Sequence, residues 1–169
     1  MGISLNDLVH GNQRYAEGFT QGDLVLPPAR KLAAIVCMDA RIDPLPLLGL
    51  HLGDIHVIRN AGGRVTEDVL RSLAISERLL GTDTVMVVHH TDCGMLTFSN
   101  GQIRDQIKRE LGDAAYTVAE HTDFLPFGDL AQSVKDDVAA ITASPLIPDN
   151  IAVFGVIYDV HSGRLTQVE

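Results

Sequence analysis

The chain holds two cysteines, Cys37 and Cys93. Each stands in a short polar signature behind an apolar run. Cys37-Met38-Asp39-Ala40-Arg41 follows Leu32-Ala33-Ala34-Ile35-Val36, and His90-Thr91-Asp92-Cys93-Gly94 follows Val85-Met86-Val87-Val88. Two thiolates and one imidazole are donors that zinc prefers, and three protein ligands leave a fourth position open, as in catalytic rather than structural zinc sites. His90 and Cys93 are three residues apart, so a turn directs both at one ion, and Cys37 arrives from a neighbouring strand. Two thiolates cancel the charge of the ion. A bound water is then acidified less than on a three-histidine zinc, where its pKa is about 7.

Asp39 and Arg41 are placed to help that water. In an extended segment Cys37, Asp39 and Arg41 point to one side, because side chains alternate. A bidentate pair with Arg41 keeps the Asp39 carboxylate ionised and oriented. Asp39 then accepts a hydrogen bond from zinc-bound hydroxide. Alternatively it binds the metal itself as a fourth ligand, which closes the site.

Each residue taken alone has an ordinary reading. A buried cysteine at a strand end is a small hydrophobe, and Asp-x-Arg is a surface ion pair. His89 competes with His90 for the ligand role. The conjunction favours a metal site: both cysteines fall at strand ends, one beside an Asp–Arg pair and the other at ligand spacing from a histidine. Asn60-Ala61-Gly62-Gly63 is either a tight turn needing positive φ or a place where the Gly62 and Gly63 backbone approaches substrate. Gly94 would offer a backbone N–H to an anion near the metal. His10, His51, His56, His121 and His161 are by default ordinary residues, and any could relay a proton.

The elements that must position these groups alternate between strand and helix. Ser4 with Asp7 opens a helix ending near Gly18, and Phe19 to Arg30, with Gly22, Pro27 and Pro28, is an extended connector. Leu32–Cys37, Ile55–Arg59, Thr84–His90 and Ile151–Tyr158 read as strands, and Leu165–Val168 as a short last one. Between Pro44 and Gly49 there is room for a short helix only. Thr66 opens a long helix through Leu80 that Gly81 ends. Ser99–Leu111 and Asp129–Thr142 are further helices, and residues 112–128 are the least regular stretch. This pattern predicts an α/β fold: a mostly parallel central sheet flanked by helices, with the last strand antiparallel after a hairpin. Ligands collect at the carboxyl ends of strands in such sheets, where both signatures lie.

At 169 residues the chain reads as a single domain, 1–169, of which 1–30 form a helix and arm suited to a partner subunit. A formal net charge of −9 with no Lys/Arg cluster argues against nucleic acid. No stretch approaches the roughly 20 apolar residues that span a bilayer, and no signal peptide is visible, so no membrane association and a cytoplasmic location are expected. Met1-Gly2 opens like an acylation signal, but Asn6 breaks the motif.

These residues resemble the β-class carbonic anhydrases, whose signature is Cys-x-Asp-[Ser/Ala]-Arg followed about fifty residues later by His-x-x-Cys. The likeness extends to Arg59-Asn60-Ala61-Gly62-Gly63, Ser72-Leu73 and Gly155-Val156-Ile157-Tyr158-Asp159, and is greatest to compact bacterial members, mycobacterial ones among them. The resemblance implies reversible hydration of carbon dioxide to bicarbonate and a proton by zinc-bound hydroxide. It implies one zinc per subunit on Cys37, His90 and Cys93, with Asp39 and Arg41 as the catalytic dyad. It also implies a homodimer, or an oligomer built from dimers, in which the N-terminal helix wraps its neighbour. Two alternatives stand beside it. One is hydrolysis of carbonyl sulfide or carbon disulfide on the same scaffold. The other is a non-catalytic zinc or thiol sensor that would tolerate loss of Asp39 and Arg41.

Overall fold

Five strands form one sheet in the order β2-β1-β3-β4-β5 in the computed structural model, which describes residues 2–169. The strands are β1 (Leu32–Cys37), β2 (Ile55–Asn60), β3 (Thr84–His90), β4 (Ala152–Tyr158) and β5 (Leu165–Gln167). The first four run parallel, and β5 returns antiparallel to β4 through the turn at Asp159–Gly163. Met1, the first residue of the failed acylation signal, lies outside the described residues.

Ala33 to Val36 of β1 are wholly buried, as are Val85, Val87 and Val88 of β3, because both strands are covered on both faces. One face packs on α3 (Glu67–Leu80) and α6 (Leu130–Thr142), with Val69, Leu73 and Ile141 against Ala33, Ile35, Val85 and Val87. The other face carries Ala34, Val36, Val88 and Val156 under Met95, Leu45 and Leu48. The short α2 (Pro44–Leu47) and the chain after β3 supply that second cover. Burying this aliphatic surface, at about 25 cal/mol per Å², is the main force holding the sheet in register.

Helix ends follow their local signals. Ser4 and Asp7 form a reciprocal capping box at α1 (Leu5–Glu17), and Thr66 Oγ1 accepts the Val69 N–H at the start of α3. Gly81, at φ 75°, ends α3. The expected irregular stretch after Gly112 is a difference. Gly112, at φ 85°, stops α4 (Asn100–Leu111), but a new helix, α5 (Asp113–Ala119), starts at once. The break changes the direction of the chain without ending its helical propensity, since Ala114, Ala115 and Ala119 are helix formers.

The strand order positions the site. The chain leaves β1 toward β2 on one side, and leaves β3 toward β4 on the other. A crevice opens between the carboxyl ends of β1 and β3, where the connections diverge. Cys37 ends β1 and His90 ends β3. No helix among the described residues is long and apolar enough to cross a membrane.

Candidate metal centre

Cys37, His90 and Cys93 converge in the crevice, each with a donor atom within 4.8 Å of the others, and all three buried. Strand alternation separates the two adjacent histidines. His89 faces α6, where Nδ1 meets Ser133 Oγ at 2.8 Å and Nε2 meets Asp137 Oδ2 at 3.0 Å, so both ring nitrogens are occupied. His90 faces the crevice. Its Nδ1–H donates to the Thr91 carbonyl at 2.9 Å, which leaves the lone pair on Nε2. That Nε2 is buried and has no hydrogen-bond partner among the described residues. An orphaned buried acceptor beside two thiols costs free energy unless something binds it. A soft divalent cation fits the donor set.

The thiol pair already favours negative charge. Cys37 is drawn well below an ordinary thiol, first by the hydrogen bond from Cys93. Burial opposes this, while the backbone N–H groups of Asp39 and Gly62 assist. Cys93 is pushed up, because it is the partner whose proton Cys37 shares. The Gly62 N–H is thus among the groups that favour the Cys37 thiolate. Gly62 and Gly94 line the adjoining cavity, and Gly63 does not. Gly63, at φ 66°, instead presses on strand backbone: a Cβ there would lie 2.9 Å from Cys37 N and 3.1 Å from Val88 O.

Asp39 and Arg41 do pair, but not by strand alternation. β1 ends at Cys37, and residues 39–42 form a turn closed by Ile42 N–H on the Asp39 carbonyl. Asp39 Oδ1 accepts the backbone N–H of Arg41 at 2.9 Å and its Nε–H at 3.0 Å, and Oδ2 accepts Nη2–H at 2.7 Å. The guanidinium and this backbone N–H hold the Asp39 carboxyl far below the usual carboxylate range. Oδ2 lies 3.9 Å from His90 Nε2, facing the ligand set with a lone pair to spare. Asp39 is thus engaged by Arg41 rather than turned onto the ligands.

Several supporting residues are not evident from the sequence. Arg59 donates to the carbonyls of Cys37 and Asp39 and so fixes the chain between ligand and dyad. Arg64 forms a largely buried ion pair with Asp137 at 2.8 Å and also donates to the Leu125 carbonyl. It ties the loop after β2 to the Phe124–Phe127 segment. Phe127 stacks on His89 with ring centroids 5.5 Å apart. Asp92, between His90 and Cys93, accepts Arg41 Nη1–H at 2.7 Å. A cavity of about 410 Å³ opens above Cys37, Cys93 and Asp39, walled by Ala61, Met95, Phe98, Ile103 and Phe124. Among the described residues Asp39 is its one carboxylate, and no Lys, Arg or His lines it.

Comparison with known proteins agrees with this arrangement. The family model described as carbonic anhydrase matches residues 32–165. The chain is 40% identical over 163 residues to beta-carbonic anhydrase 1 of Mycobacterium tuberculosis, covering 96% of each. A crystal structure of a carbonic anhydrase from Streptococcus mutans superposes with a TM-score of 0.92 at 46% identity, covering all of both chains. The carbon disulfide hydrolase of Saccharolobus solfataricus is 32% identical, covering 83% of this chain and 78% of that protein. With the family model spanning both signatures and relatives matching nearly end to end, this chain belongs to the β-carbonic anhydrase family.

Proposed function

We propose that the chain hydrates carbon dioxide reversibly to bicarbonate and a proton at one zinc ion held by Cys37, His90 and Cys93. The observation that carries this reading is the Arg41-held Asp39 carboxylate facing an orphaned ligand set at the foot of an apolar cavity. A zinc ion there would acidify water and supply a nucleophile at neutral pH. The chain's own residues do the rest. Asp39 is kept ionised, so Oδ2 only accepts; it fixes the direction of the nucleophile's O–H and turns its lone pair to the carbon. Arg41 holds that carboxylate still. Met95, Phe98, Ile103 and Phe124 exclude water and leave a dry space that suits an uncharged, poorly hydrated triatomic molecule. Carbon dioxide takes the oxygen of water, bicarbonate leaves, and the proton passes to solvent.

Carbon disulfide is the second reading. Relatives named carbon disulfide hydrolase match at 28–35% identity, and an apolar wall admits either molecule. A non-catalytic sensor would leave the dyad without a task. We also propose that a second copy covers the N-terminal arm: α1 buries none of its residues and exposes Leu5, Leu8 and Tyr15, and Leu24 to Leu26 are exposed after it. Stopped-flow hydration of carbon dioxide on zinc-quantified protein, from pH 6.5 to 9, tests the main reading, with hydrolysis of carbon disulfide measured in parallel. Turnover of carbon dioxide that scales with zinc content is expected. Turnover of carbon disulfide alone would transfer the assignment to the second reading.

A further inference from the structure

Arg41 is held from two sides, and the second side has no counterpart in the ligand triad or the dyad. Asp92 sits between His90 and Cys93 with φ of 55°, a left-handed conformation uncommon outside glycine but tolerated by aspartate and asparagine. In that conformation both of its acceptors meet the same guanidinium. Asp92 Oδ2 takes Nη1–H at 2.7 Å, and the Asp92 carbonyl takes Nη2–H at 3.0 Å. Arg41 Nε–H and Nη2–H go to Asp39. Four contacts thus clamp a guanidinium whose side chain is 47% exposed.

We propose that Asp92 is a positioning residue that locks Arg41 against Asp39 and so joins the ligand turn to the dyad as one assembly. This rests on the reading of Asp39 as the group that orients the nucleophile. Without the Asp92 carboxylate, Arg41 keeps only the carbonyl of residue 92 on that side, Nη1 is released, and the guanidinium swings more freely into solvent. Asp39 then loses the partner that keeps it off the ligand set, 3.9 Å away. Asp92 does not line the cavity, and among the described residues its carboxylate is hydrogen-bonded to Arg41 alone. An exposed pair is worth at most about 1 kcal/mol, so the expected effect is a reduction of about three- to fivefold.

The test compares Asp92→Asn and Asp92→Gly in zinc-loaded protein. Both residues accept the left-handed backbone, so neither variant strains the fold. Solvent exchange of the Arg41 Nε–H, followed by ¹⁵N NMR, is expected to quicken in the order Asp, Asn, Gly. Zinc is expected to stay at one per chain. In the hydration assay kcat is expected to fall about three- to fivefold in Asp92→Gly, with KM changed less than twofold and Asp92→Asn between. In an Arg41→Ala background Asp92→Gly is expected to add nothing, because its only route has gone. Unchanged Nε–H exchange, or a full additive loss in the Arg41→Ala background, overturns the proposal. If the parent protein proves inactive on carbon dioxide while the exchange series holds, the clamp stands and the functional reading fails.

Discussion

Replacing Gly63 by alanine tests how the two ligand-bearing strands are held at their working separation. Gly63 sits at φ 66°, where an L side chain costs about 1–2 kcal/mol. Its Cβ would lie 2.9 Å from Cys37 N, 3.1 Å from Val36 C and 3.1 Å from Val88 O. All three are backbone atoms of fully paired central strands, so relief requires moving β1, β3 or the loop. Overpacking of that kind costs about 1–3 kcal/mol. The sum is about 2–5 kcal/mol, which for a chain of this size lowers Tm by about 4–20 °C. The displaced loop also carries the Gly62 N–H away from Cys37, so metal is held less tightly. Thermal unfolding by circular dichroism, with zinc measured after dialysis, reads both effects. Gly94→Ala is the control: nothing lies within 4 Å of its added Cβ, and it should melt within about 1 °C of the parent. A Gly63→Ala protein that melts within about 2 °C of the parent and retains its zinc would refute this account of the junction.

Two further perturbations probe the dyad and the far side of the core. Asp39→Asn leaves all three ligand atoms in place, so zinc content should not change, while hydration should fall about 10²–10⁴-fold with loss of the acceptor that orients the nucleophile. Undiminished turnover in that variant would remove Asp39 from the chemistry. Glu77 on α3 is 9% exposed, and neither of its carboxylate oxygens has a hydrogen-bond partner among the described residues. Burial raises its pKa above 4.5, with Arg78 opposing weakly. A raised folded-state pKa means that the stability linked to this proton is complete below about 4.5 and is lost as pH rises through the folded value. Glu77→Gln should therefore raise Tm at pH 8 more than at pH 5, and equal shifts at both pH values would show that the carboxylate is not destabilising.

The Cys37–His90–Cys93 cluster, proposed here as the metal ligands, was legible because its information is local. His-x-x-Cys and Cys-x-Asp-x-Arg are short, and the apolar runs before them place both at strand ends. The Asp39–Arg41 pair was legible as a pair, though the route to it differs: an aspartate accepting the N–H two residues on closes a turn where strand alternation was expected. The choice of His90 over His89 became clear only once the strand faces were known, since the sequence puts the two side by side and the sheet puts them on opposite sides. Partners distant in the chain left no local sign. Asp137 lies in the middle of α6, 73 residues from Arg64 and 48 from His89, and reads there as one more polar helix residue. Arg59 stands next to Asn60 in a strand and gives no hint that it holds two carbonyls across the β1 end. For Asp92 a weak signal existed, an acidic residue inside the ligand spacing, but its target is fixed by tertiary structure 51 residues away.

One metal position is expected, made by the Cys37 and Cys93 thiolates and the His90 imidazole, with room left for a light fourth ligand beside Asp39. Zinc K-edge X-ray absorption on the purified protein reads that coordination shell. The expected first shell is two sulfur atoms at about 2.3 Å and two light atoms, nitrogen and oxygen, at about 2.0–2.1 Å. A shell with one sulfur or none, or protein that takes up no zinc at all, would contradict it.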